Sequence, residues 1–150
     1  MQKIALIQSC WHKDIVDQFR ISFQENIQTL ESSDTQVDVF EAPGVVEIPL
    51  LSKLCAKKRK GEQAHYSAIV VAGLIVDHGV YRHEFVAQTV MDAIMNVQME
   101  QEIPIIYGIL TAQDFMTEGR KDFYFDHFAE KGREAANACS LTMANIESMR

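Results

Sequence analysis

The sequence predicts an α/β fold, a three-layer sandwich in which a central four-stranded parallel sheet carries helices on both faces. Short apolar runs alternate with stretches of helical period along the chain, and one run, Ala68 to Val76, is apolar throughout. A strand without a polar face has to be covered on both sides, as in parallel sheets. Strands that alternate with helices of this length imply right-handed crossovers, which place the helices on the two faces. At 150 residues, 47% of them hydrophobic and 23% charged, the chain has the size and composition of one domain spanning 1–150 with its own core.

Residues 3–9 read as a short apolar strand, and 13–31 as a helix whose Ile15, Val16, Phe19, Phe23, Ile27 and Leu30 recur at three- and four-residue spacing. Ser32-Ser33-Asp34 breaks that pattern. A second strand, Gln36 to Phe40, alternates polar and apolar residues until Pro43-Gly44 stops it. A second helix is expected over about 47–60, ended by Gly61, and the run 68–76 forms the sheet's centre. A third helix is expected over 83–101, with Phe85, Val86, Val90, Ala93, Ile94 and Val97 on one face. Ile103 to Leu110 makes the fourth strand, with Pro104 near its start where a missing N–H is tolerated. A loop rich in aromatics and charge, 112–127, leads to a last helix at about 128–148.

Composition narrows the function. A net charge of -7 disfavours nucleic-acid binding, which draws its affinity from basic surface. No stretch approaches the roughly 20 apolar residues of a membrane span, and Met1-Gln2-Lys3 lacks the features of a signal peptide, so a cytoplasmic protein is expected. Cys10, Cys55 and Cys139 show no Cys-x-x-Cys spacing and read as reduced thiols rather than a zinc or disulfide framework. The basic run Lys57-Lys58-Arg59-Lys60 reads as cations at a helix C-terminus, where they suit the dipole.

In open parallel sheets ligands bind beyond the carboxyl ends of the strands. Four unusual segments fall there: Trp11, the turn Pro43 to Glu47, the loop Asp77 to His83, and Thr111 onward. Trp11, the only tryptophan, reads either as a hydrophobic plug or, as its loop position favours, as a platform for a planar heteroaromatic ligand. Pro43-Gly44 forces a turn whose following amides open a helix and can read a ligand's carbonyls; Glu47 complements the helix dipole or binds a hydroxyl or amine. Around Gly79 crowd Asp77, His78, Arg82 and His83. Two histidines five apart with no third ligand at recognised spacing make a poor metal site. Exposed amides at a helix start with a cation nearby suit an anion better. His83 is also a candidate proton carrier near neutrality. Phe115, Phe123, Tyr124, Phe125 and Phe128, clustered with Arg120, Lys121 and His127, are expected at a subunit interface, where the basic residues would help to complete a phosphate site.

With these residues assembled, the chain resembles the 6,7-dimethyl-8-ribityllumazine synthases of riboflavin biosynthesis over nearly its whole length. The resemblance rests on Trp11 after the first strand, Pro43-Gly44-Val45-Val46-Glu47-Ile48-Pro49, the Gly73 to Phe85 segment, Ile103 to Thr111, and Lys131-Gly132. Trp11-His12, the Asp77 to His83 loop and the aromatic-rich segment look most like the second type, a decamer of two pentamers with active sites between subunits.

The resemblance implies a flavodoxin-like fold and a transferase that condenses 5-amino-6-(D-ribitylamino)uracil with 3,4-dihydroxy-2-butanone 4-phosphate, without a metal or other cofactor. It would stack the pyrimidine on Trp11, hold the ribityl chain with Val45, Val46 and Glu47, and line the base pocket with the backbone of Leu74, Ile75 and Val76. Tyr107 of a neighbouring subunit would complete that pocket. Gly79, Val80 and His127, with Arg120 and Lys121 behind it, would meet phosphate. The family's catalytic histidine follows a Gly-x-x-x-His pattern. Counting from Gly79 selects His83, counting back from the next helix selects Arg82, and proton transfer favours the imidazole. A flavin or lumazine carrier or sensor of the same fold, and a shell protein without turnover, are the competing readings.

Overall fold

The computed structural model describes residues 2–150. Its elements run β1 (Lys3–Ser9), α1 (Lys13–Leu30), β2 (Gln36–Ala42), a 3-10 turn (Val45–Glu47), α2 (Ile48–Lys57), β3 (Arg59–Lys60), β4 (Gln63–Ala64), β5 (Ala68–Val76), α3 (His83–Gln101), β6 (Ile105–Ala112) and α4 (Arg120–Met149). The main sheet has the order β2-β1-β5-β6 with all neighbours parallel, and helices cover both faces, giving the expected flavodoxin-like three-layer sandwich. The wholly apolar β5 lies inside the sheet and is buried at every position.

Alternation along β1 sorts the core into two halves. Ile4 and Leu6 face α1 and α4, where they join Phe19, Phe23, Phe128 and Cys139. Ala5 and Ile7 face α2 and α3 and join Ile48, Ile69 and Ile94. Each fully buried aliphatic or aromatic side chain here contributes about 1.5–3 kcal/mol. Two glycines set how closely the layers meet. A Cβ on Gly108 of β6 would stand 2.4 Å from the Phe19 ring, and one on Gly132 of α4 would stand 2.3 Å from the Phe19 carbonyl oxygen. Phe19 thus occupies the space both leave.

Several boundaries differ from the sequence reading: β2 runs on to Ala42 and β6 to Ala112, and three other differences have a plain physical reason. Helix α2 stops at Lys57 rather than near 60, because the residues that follow have no apolar face to bury. Gly61, at φ 68°, turns the chain into a small hairpin in which Arg59 pairs with Ala64 and Lys60 with Gln63. Only Lys57 of the basic run lies in the helix's last turn. Strand β6 starts at Ile105, since Pro104 has no N–H to give; its carbonyl still accepts from Ile69 N–H at 2.9 Å. Helix α4 starts at Arg120, not 128, so most of the aromatic segment is helical. Phe115, Tyr124 and Phe128 are buried in the protomer's own core, which corrects their expected place at a subunit interface; Phe123 and Phe125 remain exposed.

Among the described residues no helix is long and apolar enough to cross a membrane. The three cysteines are free thiols, and burial pushes that of Cys139 up to about 12. Cys139 is expected to stay unlabelled by a thiol reagent at pH 8 until the protein is denatured. Labelling as fast as that of Cys10 would show that the α1–α4 layer opens readily.

Candidate functional site

The carboxyl ends of β1, β2, β5 and β6 form one rim, and the connections above them carry most of the residues singled out in the sequence. The Cys10 N–H donates to the Ala42 carbonyl at 3.0 Å and so joins the ends of β1 and β2. The chain then turns through Trp11 and His12. His12 takes the left-handed conformation, φ 53°, and its carbonyl accepts from the Ile15 and Val16 N–H groups that open α1. The Trp11 indole is 68% exposed and is not a core plug.

Trp11 leans over the turn after β2. A Cβ on Gly44 would lie 3.3 Å from both Trp11 Nε1 and Glu47 Oε2, so the missing side chain lets an indole and a carboxylate converge on one spot. In the 3-10 turn Val45 is buried, whereas Val46 and Glu47 are exposed. Val45 is seated against β5, where a Cβ on Gly73 would come within 2.7 Å of its Cγ1 and 2.8 Å of Ser9 Oγ. That Ser9 hydroxyl is buried without a hydrogen-bond partner.

The register of the sheet exposes backbone at this point. Strand β1 pairs with β5 only as far as Ala72, while β6 pairs with β5 through Val76. Residues 73–76 therefore have no ladder partner on the β1 side, and Leu74, Ile75 and Val76 present main-chain groups there while their side chains are buried.

Above β5, the Asp77 carboxylate accepts from the Asp114 N–H at 3.2 Å, tying the β5 and β6 connections together. That bond holds the Asp77 carboxyl below the usual carboxylate range. Gly79, at φ 80°, makes the bend of the loop, with open space where a side chain would be. The Val80 N–H donates to His78 Nδ1 at 3.3 Å, and the His78 ring meets Tyr81 edge-on at 4.7 Å. Arg82 caps α3 with its guanidinium 5.8 Å from the Phe85 ring. His83 is the first residue of α3, its Nδ1 lying 3.4 Å from Glu84 Oε2. The two candidate catalytic residues are thus neighbours at one helix start.

At the β6–α4 connection Lys121 Nζ lies 5.7 Å from the Phe115 ring. Arg120 spans the Phe123 and Tyr124 rings at 4.7 and 5.1 Å and donates to the Tyr124 hydroxyl. His127 stacks on Phe123 with centroids 5.3 Å apart, one turn further along α4.

Tyr107 does not join this rim within one protomer. It is the third residue of β6, opposite Val71, and lines a cleft of about 110 Å³ with Met91, Met95 and Gln98 of α3. A larger concavity, about 890 Å³, opens at the amino ends of the strands beside Glu31, Arg59 and Glu147, and no residue read as a site residue lines it. Volume alone does not mark the chemistry here.

The family model for 6,7-dimethyl-8-ribityllumazine synthase matches residues 1–148. The chain is 47% identical over 150 residues to 6,7-dimethyl-8-ribityllumazine synthase 2 of Bradyrhizobium diazoefficiens, covering 99% of the chain and 87% of the relative. It is 45% identical to the protein of that name in Pseudomonas syringae pv. tomato, over 99% and 85% of the two chains. It is 41% identical over 149 residues to the 6,7-dimethyl-8-ribityllumazine synthase of Rhodococcus erythropolis, covering 99% and 93% of the two chains. The chain belongs to the 6,7-dimethyl-8-ribityllumazine synthase family.

Proposed function

We propose that the protein, acting as one domain in a cytoplasmic homo-oligomer, condenses 5-amino-6-(D-ribitylamino)uracil with 3,4-dihydroxy-2-butanone 4-phosphate to form 6,7-dimethyl-8-ribityllumazine. The observation that carries this reading is the exposed indole of Trp11, set beside Glu47 over Gly44 and next to the unpaired backbone edge of β5. A flat ring with polar edges fits that arrangement: one face lies on the indole, the main-chain groups of Leu74 to Val76 meet the pyrimidine edge, and Val46 and Glu47 hold the ribityl chain.

The phosphorylated ketone is placed beside it at Gly79 and Val80, with His127 as a further phosphate ligand. The Val80 N–H exchanges His78 Nδ1 for a phosphate oxygen. That same engaged amide favours the carrier reading, in which the loop has no phosphate to hold. Holding two reactants in register supplies much of such a reaction's acceleration, so chemistry survives the loss of any single acid or base, at a reduced rate.

The assembly proposed is a decamer of two pentamers, and an exposed apolar face supports association between copies. Leu50 and Leu54 on α2 and Met91, Met95 and Met99 on the adjoining α3 are all exposed at four-residue spacing, an apolar face that a neighbouring copy would cover. Tyr107 lies on that side of the sheet and would reach the neighbour's pyrimidine pocket.

Mixing the two substrates with the protein and following lumazine absorbance tests the function. Tight lumazine binding without its formation makes the protein a carrier, and assembly in sedimentation with neither makes it a shell. His83→Ala is expected to slow turnover about tenfold at pH 7, with Arg82→Ala acting mainly by raising the KM of the phosphorylated substrate. If Arg82→Ala alone lowers kcat, the two roles are reversed.

A further inference from the structure

We propose that His12 takes the proton from carbon 3 of the phosphorylated ketone, once carbon 2 has become an imine with the pyrimidine's 5-amino group, and thereby drives phosphate from carbon 4. This rests on the condensation reading above. The C3–H bond breaks and its electron pair becomes the C3–C4 double bond, while the C4–O bond breaks and its pair leaves with phosphate. The imidazolium then returns its proton to carbon 4 as the enol becomes a ketone, and the proton of the enol hydroxyl ends on the departed phosphate. His12 emerges neutral, and no oxidant or reductant is consumed.

Position comes first. His12 follows Trp11 directly at the carboxyl end of β1, on the same rim. Its own ring meets Phe115, from the β6–α4 connection, edge-on at 4.7 Å. The charged and titratable groups around it are Lys121 of α4, His78 of the β5–α3 loop and Asp14 of α1. Two of these are basic, and Lys121 lies over the same Phe115 ring. A dianionic leaving group would be drawn to that side of Trp11.

Backbone geometry makes the placement specific. At φ 53° and ψ 50° His12 occupies the left-handed region, costly for most side chains and tolerated best by Gly, Asn, Asp and His. The ring nitrogens are also free. Among the described residues neither has a hydrogen-bond partner, whereas His78 Nδ1 holds the Val80 N–H and His83 Nδ1 faces Glu84.

The charge state agrees. Partial burial, then Lys121, lower the His12 pKa from its usual value, with His78 acting in the same direction and Asp14 against it. The imidazole is therefore neutral at pH 7 and able to accept a proton; it loses that ability only when pH falls through a value below about 6.5.

The test is the pH dependence of kcat for phosphate release from the two substrates, in wild type, His12→Asn and His12→Gln. Asparagine keeps the left-handed backbone at no added cost and cannot titrate, so its fold is expected to be intact, checked by a melting temperature within about 2 °C of wild type. Wild type is expected to lose activity as pH falls through the lowered His12 pKa. His12→Asn is expected to be roughly tenfold slower at pH 7 and to lose that acid limb, with pyrimidine KM within about twofold. Glutamine is expected to lose the limb as well, with a lower melting temperature because it fits the left-handed backbone less well. A variant that keeps the limb, or that changes KM alone, overturns the assignment. If wild type binds the pyrimidine but releases no phosphate from the pair, the condensation reading itself falls, and the role of His12 with it.

Discussion

Gly132→Ala is expected to lower the stability of the protein by about 2 kcal/mol. A Cβ at this position in α4 would stand 2.3 Å from the carbonyl oxygen of Phe19 in α1, 3.0 Å from its carbon and 3.0 Å from Ser22 Cβ. The nearest atoms are main chain in the middle of a helix and cannot swing aside. The two helices would have to separate by several tenths of an ångström over a fully buried core, and forced overpacking of this kind costs about 1–3 kcal/mol. Alanine's better helix propensity returns about 1 kcal/mol at most. The Phe19 ring makes matters worse, because it is held from below by Gly108 and cannot retreat into the sheet. For a chain of this size the melting temperature is expected to fall by roughly 4–8 °C. Circular dichroism at matched protein concentration measures it, since assembly would otherwise shift the midpoint. A melting temperature within 1 °C of wild type would mean that α1 and α4 are not in the close contact described.

The fold was readable wherever one periodicity ruled. In β5 every side chain is buried, so an unbroken apolar run carried both its position and its place inside the sheet. In α1 the residues Ile15, Val16, Phe19, Phe23 and Ile27, spaced for one face, lie in the core, whereas Leu30 of the same pattern is exposed. Reading failed where periods overlapped. Tyr124, Phe128 and Gly132 repeat every four residues on the buried side of α4, but Phe123 and Phe125 on the solvent side hide the pattern and make the segment look like a loop. The end of α2 was ambiguous for the opposite reason: residues 58–61 have no apolar side chain, and the hairpin there depends on Gly61. At the rim, Trp11 and Glu47 were found from the punctuation around them, Pro43-Gly44 and the strand ends. His12 carries its own signal, a second ring directly after the sole tryptophan, yet its left-handed backbone and its contact with Phe115 come from tertiary structure. Tyr107 sits away from the rim beside Met91 and Met95 of α3, so its proposed place in a neighbour's pocket is not specified by a single chain.

Trp11→Ala is expected to weaken binding of the ribitylaminouracil by about 2 kcal/mol, close to thirtyfold in Kd. Stacking of two flat rings contributes about 0.5–1.5 kcal/mol beyond the area it covers. One indole face buries on the order of 50 Å² of apolar surface, worth about 1.2 kcal/mol more at 25 cal/mol per Å². Because the indole is 68% exposed, its removal leaves no cavity in the core, so the melting temperature is expected to stay within about 2 °C. Affinity loss and stability are thereby separated. Turnover at saturating substrate is expected to fall less than affinity, for in the proposed placement the main chain of Leu74 to Val76 still meets the pyrimidine edge and Glu47 still holds the ribityl chain. Trp11→Phe should recover most of the binding, since a smaller ring keeps a face, whereas leucine should recover only the area. Calorimetric titration of the pyrimidine into the three variants orders them as phenylalanine, leucine, alanine if the indole is a platform. Equal affinities in all three would mean that the ring lies elsewhere, and the arrangement of Glu47 and β5 around it would lose its ligand.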